Sequence, residues 1–235
     1  MIKPCAPLLD PAIIERVKKL NVPLLLDGVK AAKLDILNEG CMDAAINPVD
    51  RGMFVAGTAL TIETCDGDNF PIHVASYSQP GDGYVMVIDG KGYDKRSYLG
   101  DLIMGACQAA GFEGIVIDGY TRDKDGNIEL GFPVYSRGSM PRGPIKKNEG
   151  NINTPIMCAG VKVNPGDLVV GDSDGVCVIP KEHIETVLVE AEKKLEYETN
   201  REKTIAAYRE ARKNGTELPV LAPKWVLDML AQGGK

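Results

Sequence analysis

The sequence predicts an α/β fold, and three observations carry that prediction. From Phe54 onward, short apolar runs are cut by Gly, Pro and Asp, the texture of buried strands and tight turns. Between two of these runs lies an apolar stripe with helical spacing, and polar segments with helical periodicity flank the whole. The expected organisation is an N-terminal helical segment (1–53), an α/β core (54–180) and a C-terminal helical extension (181–235).

Taken in order, Pro11 to Leu20 places Ile13, Ile14, Val17 and Leu20 at helical spacing, and a second helix is expected around Val29 to Leu37. The stretch from Asn38 to Met53 reads as loop. The runs Ala56 to Glu63, Tyr84 to Ile88, Ile115 to Ile117, Val161 to Val163, Leu168 to Val170 and Val176 to Ile179 read as strands buried on at least one side. Pro80-Gly81-Asp82, Val85 and Asp89-Gly90 recur 85 residues later as Pro165-Gly166-Asp167, Val170 and Asp174-Gly175. Two similar turn-then-strand devices, in which Pro fixes φ and Gly takes a left-handed turn, explain this echo; an old duplication is the other reading.

Between the echoes, Leu102, Ile103, Ala106, Cys107 and Ala110 form a helical stripe that Gly111 ends. With the strands on either side it makes a βαβ unit. A right-handed crossover then puts the loop before the helix and the loop after the next strand at the carboxyl ends of parallel strands, where ligand crevices form. Lys181 to Asn214 is expected to be a charged helix closed by Asn214-Gly215, and Trp225 to Leu230 a further docked helix.

Composition narrows the function. A net charge of −6 and a pI near 5.1 argue against binding a phosphate backbone, so nucleic acid is not expected as a ligand. The six cysteines form no CxxC pair and several lie in apolar runs, as buried thiols of a reducing compartment do. No apolar stretch reaches the ~20 residues that span a bilayer and no secretory leader opens the chain, so a cytoplasmic protein without membrane partners is expected.

Two histidines, His73 and His183, are too few for a multi-histidine zinc site or a Ser-His-Asp triad. His183 is expected to be exposed at a helix start. His73, expected near a strand end, is either a hydrogen-bonded core residue or a ligand contact. No GxxxxGK[ST] loop occurs, so nucleotide dependence is not expected. The helix start at Gly100-Asp101 is more informative, because its open backbone N–H groups and dipole favour an anion and Gly100 allows close approach. A carboxylate could bind the amides around Leu102 and Ile103, although Asp101 also suits a plain helix cap. At the same sheet edge Asp118-Gly119-Tyr120-Thr121-Arg122-Asp123 reads as a Gly turn presenting an arginine for a carboxylate or enolate and an aspartate for a hard cation. A salt-bridged surface turn accounts for that pair equally well if it is taken without Gly100-Asp101.

Gly100-Asp101, twenty residues, then Arg122-Asp123 within LGDLIMGACQAAGFEGIVIDGYTRD, followed by NPGDLVVGDSDGVCVIP, resembles the RraA-like family. That family includes 4-hydroxy-4-methyl-2-oxoglutarate and 4-carboxy-4-hydroxy-2-oxoadipate aldolases, and the resemblance spans roughly Gly57 to Pro180. It implies an RraA-like swivelling β/β/α sandwich with N-terminal and C-terminal helices, assembled as a homotrimer or homohexamer. It implies a class II aldolase using Mg²⁺ or Mn²⁺ on a small anionic oxo-acid, releasing pyruvate and also suited to decarboxylating oxaloacetate. By the same resemblance Asp123 would hold the metal, partly through water, and Arg122 would bind the oxo-acid and stabilise its enolate. Gly100, Asp101, Leu102 and Ile103 would bind the pyruvyl carboxylate, and Asp101 would orient a metal-bound water that takes the C4 hydroxyl proton.

The sequence departs from the aldolase pattern where an acidic residue is expected three positions after Asp123: Gly126 stands there, with Asp125 one earlier. A glutamate from a neighbouring subunit's C-terminal helix is also implied, for which Glu198 and Glu202 are the candidates. The alternatives are a hydro-lyase acting on a sugar-derived acid and a non-catalytic protein that binds a ribonuclease, as some members of the family do.

Overall fold

The protein is described from a computed structural model covering residues 1–147 and 150–233. Helix α1 (Pro11–Val17) starts where the Asp10 carboxylate accepts the Ala12 amide at 2.8 Å. Helix α2 (Val22–Ala31) lies earlier than the periodicity placed it. The Asn21 side chain accepts the Leu24 amide at 2.8 Å and Pro23 occupies the first turn, while Leu37–Gly40 forms only a 3₁₀ turn with Asn38 and Glu39 at positive φ.

Strand β1 (Asn47–Pro48) is short, and β2 (Val55–Glu63) is the first core strand. It leads into α3 (Phe70–Ser78), β3 (Tyr84–Leu99), α4 (Asp101–Ala109) and β4 (Gly114–Thr121), two consecutive parallel βαβ units. Here α3 corrects the expected surroundings of His73, which stands on a helix and not near a strand end; Asn69 before Phe70-Pro71 is the start marker. Asp118-Gly119 is not a turn either, because β4 continues to Thr121.

Helix α5 (Lys124–Leu130), closed by Gly131 at φ 66°, follows, then β5 (Val134–Ser136), β6 (Gly138–Ser139), β7 (Asn151–Ile152), β8 (Ile156–Cys158), β9 (Val161–Val163), β10 (Leu168–Asp172) and β11 (Gly175–Ile179). The hydrogen-bonded order β1-β5-β4-β3-β2-β10-β11 is mixed, with β10 and β11 antiparallel, and its two end strands come into contact so that the sheet nearly closes. The 85-residue echo is local. Asp174-Gly175 makes the β10–β11 hairpin, whereas Asp89-Gly90 lies inside β3, and the left-handed glycine is Gly166 in one copy but Gly83 in the other.

Period-two alternation divides the core between the two faces of the sheet. Met86, Ile88, Ile115 and Ile117 pack with Ile72, Ala75, Met104 and Cys107 of α3 and α4. Val85, Val87 and Val116 face the other way, onto Ile156, Cys158, Val161 and Val163 of the small β8–β9 sheet. The layers are therefore helices, main sheet and hairpin, a mixed α/β architecture as the sequence predicts.

The chain divides into two compact units, Met1–Ala191 and Glu192–Lys235. A charged helix is observed as expected, α6 (Ile184–Asn214), with Gly215 at φ 65° after it. In the second unit α7 (Lys224–Ala231) forms where a helix was expected; none of its residues is buried and Trp225 is 61 % exposed. Cys107, Cys158 and Cys177 are buried thiols, Cys5 and Cys65 are half-buried, and Cys41 is exposed, which limits the buried-thiol expectation to three of the six. Among the described residues no helix is long and apolar enough to cross a membrane.

Candidate active site

The spacing between Gly100 and Arg122 is a matter of strand register. β3 and β4 run parallel and end side by side, with Leu99 paired to Thr121. The next residue of each strand is Gly100 on one side and Arg122 on the other, and the Arg122 amide donates to the Leu99 carbonyl at 2.9 Å. The residues between them leave the edge through α4, turn at Gly111 (φ 90°) and return along β4 to the same edge. Gly100, Asp101, Leu102, Ile103, Arg122 and Asp123 consequently line one cleft of about 480 Å³.

Gly100 caps α4 in an extended conformation. A β-carbon on it would run into the Asp123 carboxylate and lie 3.1 Å from Arg122 Nε, so the absence of a side chain lets the Arg122-Asp123 pair close over the helix start. The amides of that first turn are not all open to a ligand. Asp101 Oδ1 accepts from the Leu102 N–H at 2.7 Å, and the Ile103 N–H donates to the Gly100 carbonyl at 3.2 Å. Leu102 points its side chain into solvent, 86 % exposed, whereas the Ile103 side chain is buried in the core, so Ile103 faces the cleft through its backbone.

Asp123 is an aspartate in the left-handed region, φ 54° and ψ 47°, at the N-cap of α5. Its backbone carbonyl accepts from the Asn127 amide, yet its carboxylate makes no capping bond, although aspartate there usually does. The carboxylate instead turns to Arg122, Oδ2 lying 3.2 Å from Nε, with both side chains part-exposed. Asp123 is one of eight non-glycine residues at positive φ among the described residues, a conformation that aspartate tolerates better than most. Gly126, one turn into α5, backs onto Asp101: a β-carbon there would sit 2.8 Å from Asp101 Oδ2. The position at which an acidic residue was expected is thus occupied by the Asp101 carboxylate arriving from α4.

The rest of the cleft comes from residues that the sequence did not single out, apart from His73. Asn69, His73 and Tyr77 of the α3 region, Tyr98, and the loop residues Gly143, Pro144 and Lys146 complete the lining. Tyr98 is fully buried, its hydroxyl donating to the Gly90 carbonyl at 2.8 Å, and burial pushes its pKa up to about 12. Asn69 Nδ2 donates to the Tyr98 carbonyl at 3.1 Å and lies 3.3 Å from His73 Nε2. His73 stacks on Tyr77 with ring centres 6.1 Å apart. Partial burial, and secondarily the charge of Lys146, hold the His73 pKa below the usual histidine value. His183, in the 3₁₀ turn Lys181–His183, is half-buried and is not part of this cleft.

Among the described residues no three His, Cys, Asp or Glu side chains converge as a metal cage. The carboxylates of Asp123 and Asp101, both lining the cleft, are hard oxygen donors. Such a set suits Mg²⁺ or Mn²⁺ kept largely hydrated and held by one or two carboxylates together with a substrate, and does not suit a closed structural site.

Comparison with known proteins agrees with this architecture. The family model described as RraA-like (Aldolase/RraA) matches residues 17–178. A Halalkalibacterium halodurans protein provisionally named a 4-hydroxy-4-methyl-2-oxoglutarate aldolase is 42 % identical over 166 residues, 70 % of this chain and 78 % of the relative. A Shewanella oneidensis protein with the same provisional name is 36 % identical over 122 residues, 52 % of this chain and 73 % of that one. Among solved structures, Streptomyces coelicolor RraAS2, described as an unusual member of the RNase ES inhibitor RraA protein family, superposes with a TM-score of 0.70 at 25 % identity, covering 86 % of this chain and 99 % of that one.

Proposed function

The chain belongs to the RraA-like family, and from that premise we propose that it is a divalent-metal-dependent lyase cleaving a 4-hydroxy-2-oxo acid to pyruvate. The observation that carries this reading is the convergence of the α4 start with Arg122 and Asp123 in one cleft, set by the Leu99–Thr121 register. The relatives named as aldolases support the reaction type.

In such a retro-aldol step the C4 hydroxyl loses its proton, the C3–C4 bond breaks, C4 becomes a carbonyl and the electron pair remains on C3 as the pyruvate enolate, which a proton then quenches. With 4-hydroxy-4-methyl-2-oxoglutarate both products are pyruvate. Arg122, a fixed fork of donors, binds the 2-oxo acid end and stabilises the negative charge that grows on the enolate oxygen, the kind of preorganised donor whose removal costs on the order of 10²–10³ in rate. Gly100 lets that end of the substrate approach the first turn of α4, whose dipole favours an anion. Asp101, whose carboxylate accepts from the Leu102 amide and packs against Gly126, would orient the group that accepts the hydroxyl proton. Asp123 would hold Mg²⁺ or Mn²⁺, with Glu198 or Glu202 of a neighbouring subunit in a trimer or hexamer as a further candidate. The metal would act as a Lewis acid on the 2-oxo group.

Decarboxylation of oxaloacetate passes through the same enolate and belongs to the same proposal. The test is pyruvate release, coupled to lactate dehydrogenase, from 4-hydroxy-4-methyl-2-oxoglutarate and from oxaloacetate with Mg²⁺ or Mn²⁺, wild type against Arg122→Ala. Turnover that requires metal and drops at least ~10²-fold without Arg122 is expected. No pyruvate from either compound would sink the lyase reading and leave the hydro-lyase, or a ribonuclease-binding role of the kind named for the Streptomyces relative.

A further inference from the structure

Two cysteines far apart in sequence meet at the β11 edge of the sheet. Cys41 follows the 3₁₀ turn Leu37–Gly40 in an extended conformation and stands directly opposite Cys177 of β11 in an antiparallel bridge. The Met42 amide donates to the Val176 carbonyl at 3.0 Å, so the backbone bond lies beside the two cysteines and they form a non-hydrogen-bonded pair. In such a pair the facing α-carbons are about 4.5 Å apart and the side chains leave the same face. A disulfide spans α-carbons roughly 4.4–6.8 Å apart.

The alternation along both segments agrees. Met42 on one side, and Val176 and Val178 on the other, pack into the core against the β8–β9 hairpin, so Cys41 and Cys177 share the opposite face. The Asp43 amide donates to the Ala159 carbonyl at 2.9 Å and Asn38 Nδ2 to the Gly160 carbonyl at 2.7 Å, which fixes the segment without a covalent link. The Cys177 thiol is pushed up by burial first, then by Asp172 and by Cys41, so each sulfur lies within electrostatic reach of the other. Cys41 is exposed and Cys177 fully buried, so a reagent in solution meets only Cys41.

We propose that Cys41 and Cys177 form a thiol–disulfide modification site, closed into one intramolecular bond by a low-molecular-weight disulfide R–S–S–R. Cys41 loses its proton to solvent and its sulfur attacks one sulfur of the reagent; the Cys41–SR bond forms, the reagent's S–S bond breaks, and the released thiolate takes up a proton. Cys177 then loses its proton and attacks Cys41 Sγ, which expels the second RSH. Two protein thiols are oxidised by two electrons, and one reagent disulfide is reduced to two thiols. The same exchange run backwards in a reducing compartment reopens the bond. Closing the chain from residue 41 to residue 177 restricts the unfolded state and stabilises the fold. Neither cysteine lines the cleft, so this site is independent of the lyase reading.

The test is incubation of the full chain with oxidised glutathione, followed by alkylation, peptide mass spectrometry and thermal melting. Wild type should give a Cys41–Cys177 cross-linked peptide, two hydrogens lighter, and a midpoint raised by roughly 5–15 °C that dithiothreitol reverses. Cys177→Ala should stop at a glutathione adduct on Cys41, with no rise in midpoint. Cys41→Ser, a change at an exposed position, should leave Cys177 unmodified in the folded chain. Wild type that stops at the Cys41 adduct, reacts at neither cysteine, or links either of them to a different cysteine overturns the assignment. So does a rise in midpoint of equal size in Cys41→Ser.

Discussion

The α-carbon of Gly100 lies under the carboxylate of Asp123, in the space that a β-carbon would need. Its φ of −133° and ψ of 179° are open to any residue, so backbone strain does not demand glycine here; the demand comes from Asp123 and Arg122 packing over it. Gly100→Ala should therefore fold with little change in Tm while losing at least ~10²-fold in kcat/KM, the usual result of displacing catalytic groups by about 1 Å. Equal losses of stability and activity would point to a scaffold role for Gly100.

Asp123→Asn keeps a residue that tolerates the left-handed conformation and removes the charge. Titration calorimetry with Mn²⁺ should show affinity reduced by at least about tenfold with an unchanged thermal midpoint. Unchanged Mn²⁺ affinity would show that the metal is held elsewhere.

Gly126→Ala puts a good helix former into α5, worth about 1 kcal/mol in an exposed helix, but pushes its methyl against Asp101 Oδ2. Stability should hold or rise while kcat falls. In the Asp101→Ala background the same substitution should have almost no further effect on kcat, a non-additivity that a double-mutant cycle measures. Additive losses would mean that Gly126 acts independently of Asp101.

Asp89, 7 % exposed at the carboxyl end of the first half of β3, has its carboxyl pushed up to about 6, chiefly by burial, with Asp118 and Glu63 adding to the rise against the pull of the Lys91 amide. Its folded-state pKa thus exceeds its unfolded value, so its contribution is fully present below about pH 4 and is lost as the pH rises through about 6. Asp89→Asn lacks that loss. The stability of the variant relative to wild type in urea titrations should increase by about 2 kcal/mol between pH 4.5 and 7.5. A gap that is constant across that range would show that Asp89 is not buried as a neutral acid.

Much of this was legible in the sequence because single local rules decided it. The strands from Val55 to Ile179 show as apolar runs between breakers, and α4 shows as a stripe ended by Gly111. The Gly100 and Arg122 ends were legible as a pair because one βαβ crossover returns the chain to the edge it left. What escaped depended on partners distant in sequence. Helix α3 has weak amphipathicity, since its residues are apolar around most of the circumference, and its only clear marks are Asn69 and Pro71. Helix α5 is seven residues long with a glycine inside it and is held by Asp123 and the neighbouring α4. Lys146 lies in a proline- and glycine-rich loop whose place is set by backbone bonds to Gly67, Asp68 and Asn69, nearly eighty residues earlier, which no periodicity reveals.

Between Ile88 and Leu99, β3 uses eleven steps to cover the distance that β4 covers in four, from Ile117 to Thr121, and the surplus leaves the ladder at three register shifts. The strand therefore carries slack upstream of the site, with Asp94 and Lys95 exposed and their side chains paired with each other. Length added at that point has somewhere to go without changing which residue ends opposite Thr121. It is the natural place in this chain to graft a reporter or a tether while leaving the geometry of Gly100 and Arg122 intact.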